Sequence, residues 1–434
     1  MRLLMRSLTV SLFIFACNVA VAQEPAEGAL PDPLTLELAL SLAQDAHPAV
    51  MQAVAERDLA RSTVDASDAQ NGLNVFLEGR ARWIEPPSTS PDQSHDDHKL
   101  SLIARKNLYD FGRSSARQRS AEADLRHREL RYVNLYSQRR IEIMQRYFDV
   151  LLADLEFSRD DEAMEVAFVT LDKVRQRHEL GQVSDIVLLQ QEAGYQESRR
   201  QRSRSEARQR STREILAIVL NRPGQPPSNL QTPDLGGGVR PVPEYTELLE
   251  KAQRNNPQLR ALQEQVMASE ERMKMARAAS RPSLIGEAEA SAYSRELGSN
   301  DPLRIGVLLT VPLYTSGAVD ASVGQEQAKL YRAQAELRAI ESEIRQSVLL
   351  LWQELEQLRV ESEGAQAQLV FRELYLDRSR ANYEMEVSTD LGDAMVLLSE
   401  AQLTQARVQF QLALTWERLN GITGDTAVSL SIQQ

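Results

Sequence analysis

Few side chains in this sequence are spaced to do chemistry. Asp390 and Asp393 stand three residues apart, which places both carboxylates on one face if a helix has begun there. Such a pair either attracts cations from an exposed position or complements the dipole of a helix N-terminus. His95-Asp96-Asp97-His98 holds metal-ligand residue types, but it lies in a polar, Pro-flanked stretch with no further ligand nearby, and reads as a solvated loop. The five His offer no paired ligands at helical spacing, so no zinc motif is present. Arg199 to Arg213 carries seven Arg in 15 residues. Glu197, Glu206 and Glu214 interleave or flank that run and no aromatic interrupts it, so it reads as a solvated helix face rather than a nucleic-acid surface. There is no Gly-rich phosphate loop, and no nucleophile can be matched with a base. The sequence therefore implies no cofactor and no catalytic centre, and any energy source belongs to a partner.

Composition narrows the class. The chain of 434 residues has a formal charge of -12, which opposes wholesale nucleic-acid binding. Its mean hydropathy of -0.40 leaves no room for a bundle of membrane-spanning helices. Residues 1–22 read as a secretory signal peptide: Arg2 and Arg6 form the charged region, Leu8 to Val19 is mostly apolar, and Ala20-Val21-Ala22 is the cleavage signal. Cleavage takes the charge from -12 to -14, because both Arg leave with no acid, and removes Cys17, the chain's one cysteine. The rival reading makes Cys17 a lipidated N-terminus, with the bulky Phe15 against it. Beyond residue 22 nothing approaches the ~20 apolar residues of a spanning helix. Any membrane insertion must be by strands.

The elements that would position these residues are long helices. Between Gly112 and Gly181 lie 68 residues with neither Gly nor Pro, about 100 Å of unbroken helix. A matching stretch of 74 residues from Ala318 to Leu391 is interrupted only by Gly324 and Gly364. Shorter helical runs follow each, over 182–222 and 393–420. Helices of this length read as coiled coil. Tyr136, Ile143, Val150 and Phe157 form one apolar stripe, and Met144, Phe148, Leu151 and Leu155 a second. Two stripes predict a helix with neighbours on both sides, as in a wall of helices.

The chain is also an internal duplication. Ala46-His47-Pro48-Ala49-Val50 matches Asn255-Asn256-Pro257-Gln258-Leu259, and Leu108-Tyr109-Asp110-Phe111-Gly112 matches Leu313-Tyr314-Thr315-Ser316-Gly317. The region from Ser184-Asp185 resembles that from Gly392-Asp393. This predicts a first repeat over 23–221, a linker over 222–243 with six Pro and four Gly, a second repeat over 244–424, and a tail over 425–434.

Each repeat holds one region with the period of a strand, about 74–109 and about 283–314. Val75, Leu77, Gly79, Ala81 and Trp83 alternate with polar residues, Phe76 excepted; Leu100, Leu102, Ala104 and Leu108 oppose Ser101, Arg105 and Asn107. In the second repeat Leu284, Gly286, Ala288 and Ala290 oppose Glu287, Glu289 and Ser291, and Leu303, Ile305, Val307, Leu309 and Val311 alternate with Arg304, Gly306 and Thr310. One apolar and one polar face at this length is the pattern of a transmembrane β-barrel; a surface hairpin packed on protein is the alternative. Four strands cannot close a barrel, and lipid does not tolerate open edges. If the strands span a membrane, several chains must pool them. Three chains would give twelve strands, although hydrogen bonding alone does not set that number.

Leu34-Thr35-Leu36-Glu37-Leu38-Ala39-Leu40 through His47-Pro48, the two Leu-Tyr-x-x-Gly junctions, Pro282-Ser283-Leu284, and Trp416-Glu417-Arg418-Leu419-Asn420-Gly421 resemble the TolC-like outer-membrane efflux proteins in order and spacing. The resemblance covers nearly all of residues 34–424. It implies a mainly α fold with a small β part: a periplasmic α-barrel of long antiparallel coiled-coil helices, continuous with a trimeric 12-stranded transmembrane β-barrel in the outer membrane of a Gram-negative bacterium. It also implies a homotrimer docking to a periplasmic adaptor and, through it, to an inner-membrane RND or ABC transporter. The acidic pair Asp390 and Asp393 would then face the tunnel entrance, where three copies bring six carboxylates together and favour cations. Gly181, Ser184, Asp185 and Thr389, at the far helical turns, become candidate adaptor-docking positions. Gly112 and Gly317 become the bends between strand and helix. Tyr109, Phe111 and Tyr314 suit the periplasmic membrane interface and Trp83 the outer one.

Three functions compete: the passive exit duct of a tripartite exporter, for solutes or by type I protein secretion; a non-conducting periplasmic coiled-coil spacer, which requires that the hairpins stay out of the membrane; and an exported enzyme, for which no catalytic constellation exists.

Overall fold

The computed structural model describes residues 30–42, 47–235, 240–295, 300–385 and 390–425. The leader, Cys17 and the 425–434 tail beyond Asp425 lie outside the described residues, as does Thr389.

Twelve elements are named in chain order. The first half runs α1 (Leu36–Leu42), α2 (Pro48–Asn71), β1 (Asn74–Arg80), β2 (Lys99–Tyr109), α3 (Arg113–Glu179) and α4 (Asp185–Val219). The second repeats this order as α5 (Tyr245–Asn255), α6 (Pro257–Ala278), β3 (Ser283–Tyr293), β4 (Leu303–Thr310), α7 (Ala318–Glu384) and α8 (Leu391–Thr423). The corresponding long helices, α3 and α7, are 67 residues each. Pro48 and Pro257 open α2 and α6, where a missing N–H costs nothing, and the preceding His47 and Asn256 side chains accept from Ala49 N and Leu259 N.

The helices lie side by side. The N-terminal half of α3 packs between α2 and α6, through Arg128 to Glu56 on one side and Arg126 to Glu264 on the other. Its C-terminal half packs between α4 and α8, through Arg213 to Asp154 and Arg159 to Glu400. Of the two stripes read in α3, Ile143 and Val150 are buried, as are Met144, Phe148 and Leu151; all five join one core cluster with Leu216 of α4 and Phe410 of α8, and Phe148 stacks on Phe410 at 4.5 Å. α7 packs against α6 above and α8 below. Its remaining face leaves Tyr331, Leu350, Val360, Phe371 and Leu374 exposed.

At mid-height, α1 caps α3 and α5 caps α7. The buried Tyr147 hydroxyl lies 2.7 Å from the Leu34 carbonyl and 2.5 Å from that of Gln231, tying the start of the chain to the linker. Burial pushes the Tyr147 phenol up to about 12. It stays protonated and can always donate.

The four strands form one antiparallel sheet in the order β1-β2-β3-β4. Each strand adjoins one helix in sequence: β1 follows α2, β2 precedes α3, β3 follows α6 and β4 precedes α7. The lateral order of the strands is thus the lateral order of the upper helices. Both open edges of the sheet, β1 and β4, sit over the helices α2 and α7 that lack a neighbour on the same side.

Candidate functional site

Register sorts the strand residues into two faces. Pairs Val75 with Ala104, Leu77 with Leu102, Leu102 with Ala290, Ala288 with Ile305 and Gly286 with Val307 place one continuous apolar surface across all four strands. Ile305 is 78% exposed and Leu77 67%, so this surface has no cover among the described residues. The opposite face is polar and internally paired. Lys99 and Arg304 both bind Glu289, Arg105 binds Glu287, and Ser101 meets Ser291 at 2.9 Å. Phe76 lies on this face under the Arg105 guanidinium, 5.1 Å from its ring centre, and Ile103, Ile285 and Leu308 share its parity. A sheet apolar on one face and polar on the other, with two unpaired edges, has the pattern of a strand segment that faces lipid on one side and water on the other.

The edge strands are shorter than their sequence pattern. β1 ends at Arg80, and the pairing resumes only as a bridge between Trp83 and Asp96. β4 ends at Thr310, next to Val311-Pro312, where Pro cannot donate to a ladder. The loop between β1 and β2 is folded on itself. Trp83 stacks on His95 at 5.1 Å, Asp97 pairs with Arg82, and His98 Nδ1 accepts from Arg82 N. Among the described residues no group of three or more His, Cys, Asp or Glu could hold a metal.

Gly112 and Gly317 are the N-caps of α3 and α7, with φ of 88° and 78°. The residues before them, Phe111 and Ser316, also have positive φ, 54° and 51°, and the turns close through Arg113 N to Asp110 O and Ala318 N to Thr315 O. Two left-handed residues in succession reverse the chain tightly, and Gly is the residue that takes this without strain. In the first turn Asp110 Oδ2 accepts from Asn107 Nδ2, Ser114 N and Ser114 Oγ. Burial pushes the Asp110 carboxyl up, but the hydrogen bonds from Ser114 and Asn107 outweigh it and hold the group below its ordinary value.

At the other end, Gly181 follows α3 with φ of 71°, and its N–H donates to the His178 carbonyl. Ser184 is the N-cap of α4 without a side-chain cap bond, and the exposed Asp185 lies 2.6 Å from His178 Nε2. Leu180, Ile186 and Leu189 surround this tip and are 72%, 77% and 62% exposed. Spacing of Gly and charge does not single them out; their signal in the sequence is three large apolar residues within ten of a turn.

The acidic pair divides. Asp390 is the N-cap of α8, and its Oδ2 accepts from the Tyr375 hydroxyl at 3.0 Å and the Ser379 hydroxyl at 3.3 Å, both on α7. Asp393, in the first turn of α8, is exposed. The sequence treats the two as equivalent; the structure gives one carboxylate to the α7–α8 turn and the other to solvent. Beside them Gly392 presses on α3: a Cβ there would lie 2.8 Å from Val166 Cγ2. Tyr375, Ser379 and Val166 were not identifiable from spacing.

The arginine run is not simply solvated. Arg202, Arg208 and Arg213 of α4 pair with Asp161, Glu156 and Asp154 of α3, a charge ladder that fastens the two helices. No helix among the described residues is long and apolar enough to cross a membrane.

Residues 248–425 match the family model described as outer membrane efflux protein. No curated protein sequence matches the chain. The fold is shared with the outer membrane protein VceC from Vibrio cholerae, at 16% identity and a TM-score of 0.72 over 90% of this chain and 96% of that one. It is shared with the CmeC outer membrane channel of Campylobacter jejuni, at 15% identity and 0.73 over 90% and 85%. The MtrE outer membrane channel of Neisseria gonorrhoeae, in its open state, gives 18% and 0.67 over 90% and 88%. The resemblance read from the sequence holds, in the family matched by the second half and in the mainly helical fold with its four-stranded sheet.

Proposed function

We propose that this chain is the outer-membrane exit duct of a tripartite exporter, a passive homotrimeric conduit engaged by a periplasmic adaptor and an inner-membrane pump. The observation that carries the reading is the sheet: one uncovered apolar face, one salt-bridged polar face, and two open edges stacked over two unpartnered helix edges. Joining the β1, α2 and α4 edge of one copy to the β4 and α7 edge of the next satisfies both layers with the same rotation. Such a head-to-tail contact makes a ring when its rotation divides a full turn, as three copies would here. β1 and β4 run in opposite directions through the alternating sheet, so the closed barrel stays antiparallel throughout.

In this reading the polar face lines the lumen, and the α3–α4 and α7–α8 turns form the periplasmic entrance. Asp393 contributes the carboxylate ring there, and Asp390 holds the turn that presents it. Leu180, Ile186 and Leu189, with Gly181, Ser184 and Asp185, offer the adaptor an apolar, uncapped tip; Thr389 is the corresponding candidate on the second turn. Chemistry plays no part, so the pump supplies the energy. The polar face carries both charge signs in self-neutralising pairs, which leaves solute efflux and type I protein secretion both open, and with them an RND or an ABC pump.

Planar-bilayer recording of the purified chain tests the function. The duct reading expects discrete, cation-preferring channels. Bilayers that stay silent, with the chain left in the aqueous phase, would establish the periplasmic spacer instead.

A further inference from the structure

Where the sheet meets the helices there is a cavity of about 450 Å³. Its sheet-side wall is made by Asn107, Ser283, Ile285 and Thr310. By register all four belong to the polar face: Asn107 pairs with Ile285, Ser283 with Thr310, and both sets share parity with Arg105, Glu287 and Arg304. Its other wall carries three guanidinium groups from two separate segments, Arg113 and Arg117 at the start of α3 and Arg281 just before β3.

These three differ from the arginines further along α3. From Arg119 to Arg159, every arginine of α3 has a carboxylate within 4 Å. Arg113, Arg117 and Arg281 have none among the described residues. Arg117 is steered by the neutral Gln70 side chain, and Arg281 reaches only the Phe111 carbonyl at 3.5 Å. One acid lines the cavity, Asp110, and its Oδ2 is taken by Asn107 and Ser114. Three Arg against one Asp leave two net positive charges on the cavity wall of each chain. Three cations that share a cavity repel one another, and a planar guanidinium is matched in shape and hydrogen bonding to carboxylate and phosphate.

We infer that this cavity is an anion-binding station in the duct, which takes a carboxylate or phosphate group of a passing solute through Arg113, Arg117 and Arg281. The side on which the solute passes rests on the duct reading above. A phospholipid phosphate carries the same chemistry, but the bilayer meets the apolar face, across the sheet from the cavity. The 67 residues of α7 place this basic collar about 100 Å from the acidic entrance, at the level of the sheet.

The test uses the full-length chain, purified in detergent and titrated with tripolyphosphate by calorimetry, with the same probe then added to planar bilayers. Saturable binding and partial block of the current are expected. The triple variant Arg113→Gln, Arg117→Gln, Arg281→Gln should keep its assembly and conductance but weaken binding at least tenfold, whereas Arg119→Gln, whose partner is Glu271, should bind as the native chain does. Equal binding by native and triple-variant chains overturns the inference, as does equal weakening by Arg119→Gln, which would mark diffuse charge. If native mass spectrometry finds anionic phospholipid on the native chain and not on the triple variant, while tripolyphosphate fails to bind, the ligand is a lipid headgroup and the solute station is refuted. A chain that binds tripolyphosphate through these arginines yet never conducts keeps the anion site and overturns the duct.

Discussion

The Tyr375 hydroxyl donates to Asp390 Oδ2 at 3.0 Å, joining α7 to the N-cap residue of α8 across the turn at the far end of the molecule. Ser379, one turn further along α7 and buried, donates to the same oxygen. Asp393, three residues on, makes no such contact and faces solvent. The two carboxylates are therefore placed differently, one bound into the α7–α8 turn and the other exposed.

Asp393→Ala should reduce cation preference in a salt gradient, seen as a smaller reversal potential, with little change in thermal stability. Asp390→Ala should instead loosen the tip and raise conductance, because it strands the Ser379 hydroxyl and removes charge-assisted bonds worth about 1–3 kcal/mol locally. If both variants shift reversal potential alike and neither changes conductance, the division of labour is wrong.

Gly392 allows α8 to rest on Val166 of α3, and a side chain there must push aside the Val166 side chain or the helix that carries it. Gly392→Leu should therefore splay the tip and raise single-channel conductance, at a cost of about 1–3 kcal/mol from overpacking. Val166→Ala in the same chain should restore the native conductance by making room. No rescue would mean that the contact does not set the width of the entrance.

Val307 lies on the apolar face of β4, opposite Gly286 and 63% exposed in the isolated chain. Val307→Arg should hinder assembly by ~2–4 kcal/mol if the residue lies near the bilayer midplane. Gly306→Arg, its neighbour on the polar face, should be tolerated far better. A normal yield of assembled Val307→Arg, judged by heat-modifiable gel mobility, would reverse the assignment of the faces.

His127 is buried between α3 and α6, with Nδ1 2.7 Å from the Ala261 carbonyl. Burial is the main force lowering its pKa below the ordinary 6.5, opposed by the hydrogen bond to the Ala261 carbonyl and by Asp124, with Arg128 and Arg131 adding to it. The unfolded chain therefore takes up a proton below about 6.5 that the folded chain refuses. Stability is full above that value, falls as the pH drops through it, and levels off below the depressed folded pKa. Thermal midpoints measured from pH 7.5 to 5 should show this decline, and His127→Gln should flatten part of it. An unchanged slope in the variant would assign the decline to other groups, His47 first, whose pKa burial also lowers.

Much of the fold was legible because its signals are periodic. The breaker-free stretch from 113 to 180 became α3 to within one residue, and strand parity placed Val75, Leu102, Ala288 and Val307 on one face before any register was known. The matching stretch to Leu391 overran, since α7 ends at Glu384 and no Gly or Pro marks the next residues. The site was harder to read. Tyr375 and Asp390 are 15 residues apart and meet only because α8 returns along α7. Arg113 and Arg281 are brought together by the sheet, and the pairing of Arg213 with Asp154 depends on α4 lying against α3. Local pattern encodes which face a residue occupies; it does not encode what the opposite element brings to that face.

The central claim is that β1 and β4 are edges completed by other copies of the same chain. Native mass spectrometry of the chain extracted from outer membranes in mild detergent tests it most directly. The account predicts a complex of three chains with no folded monomer beside it. A stable monomer that remains in buffer without detergent and shows no affinity for a bilayer would contradict it.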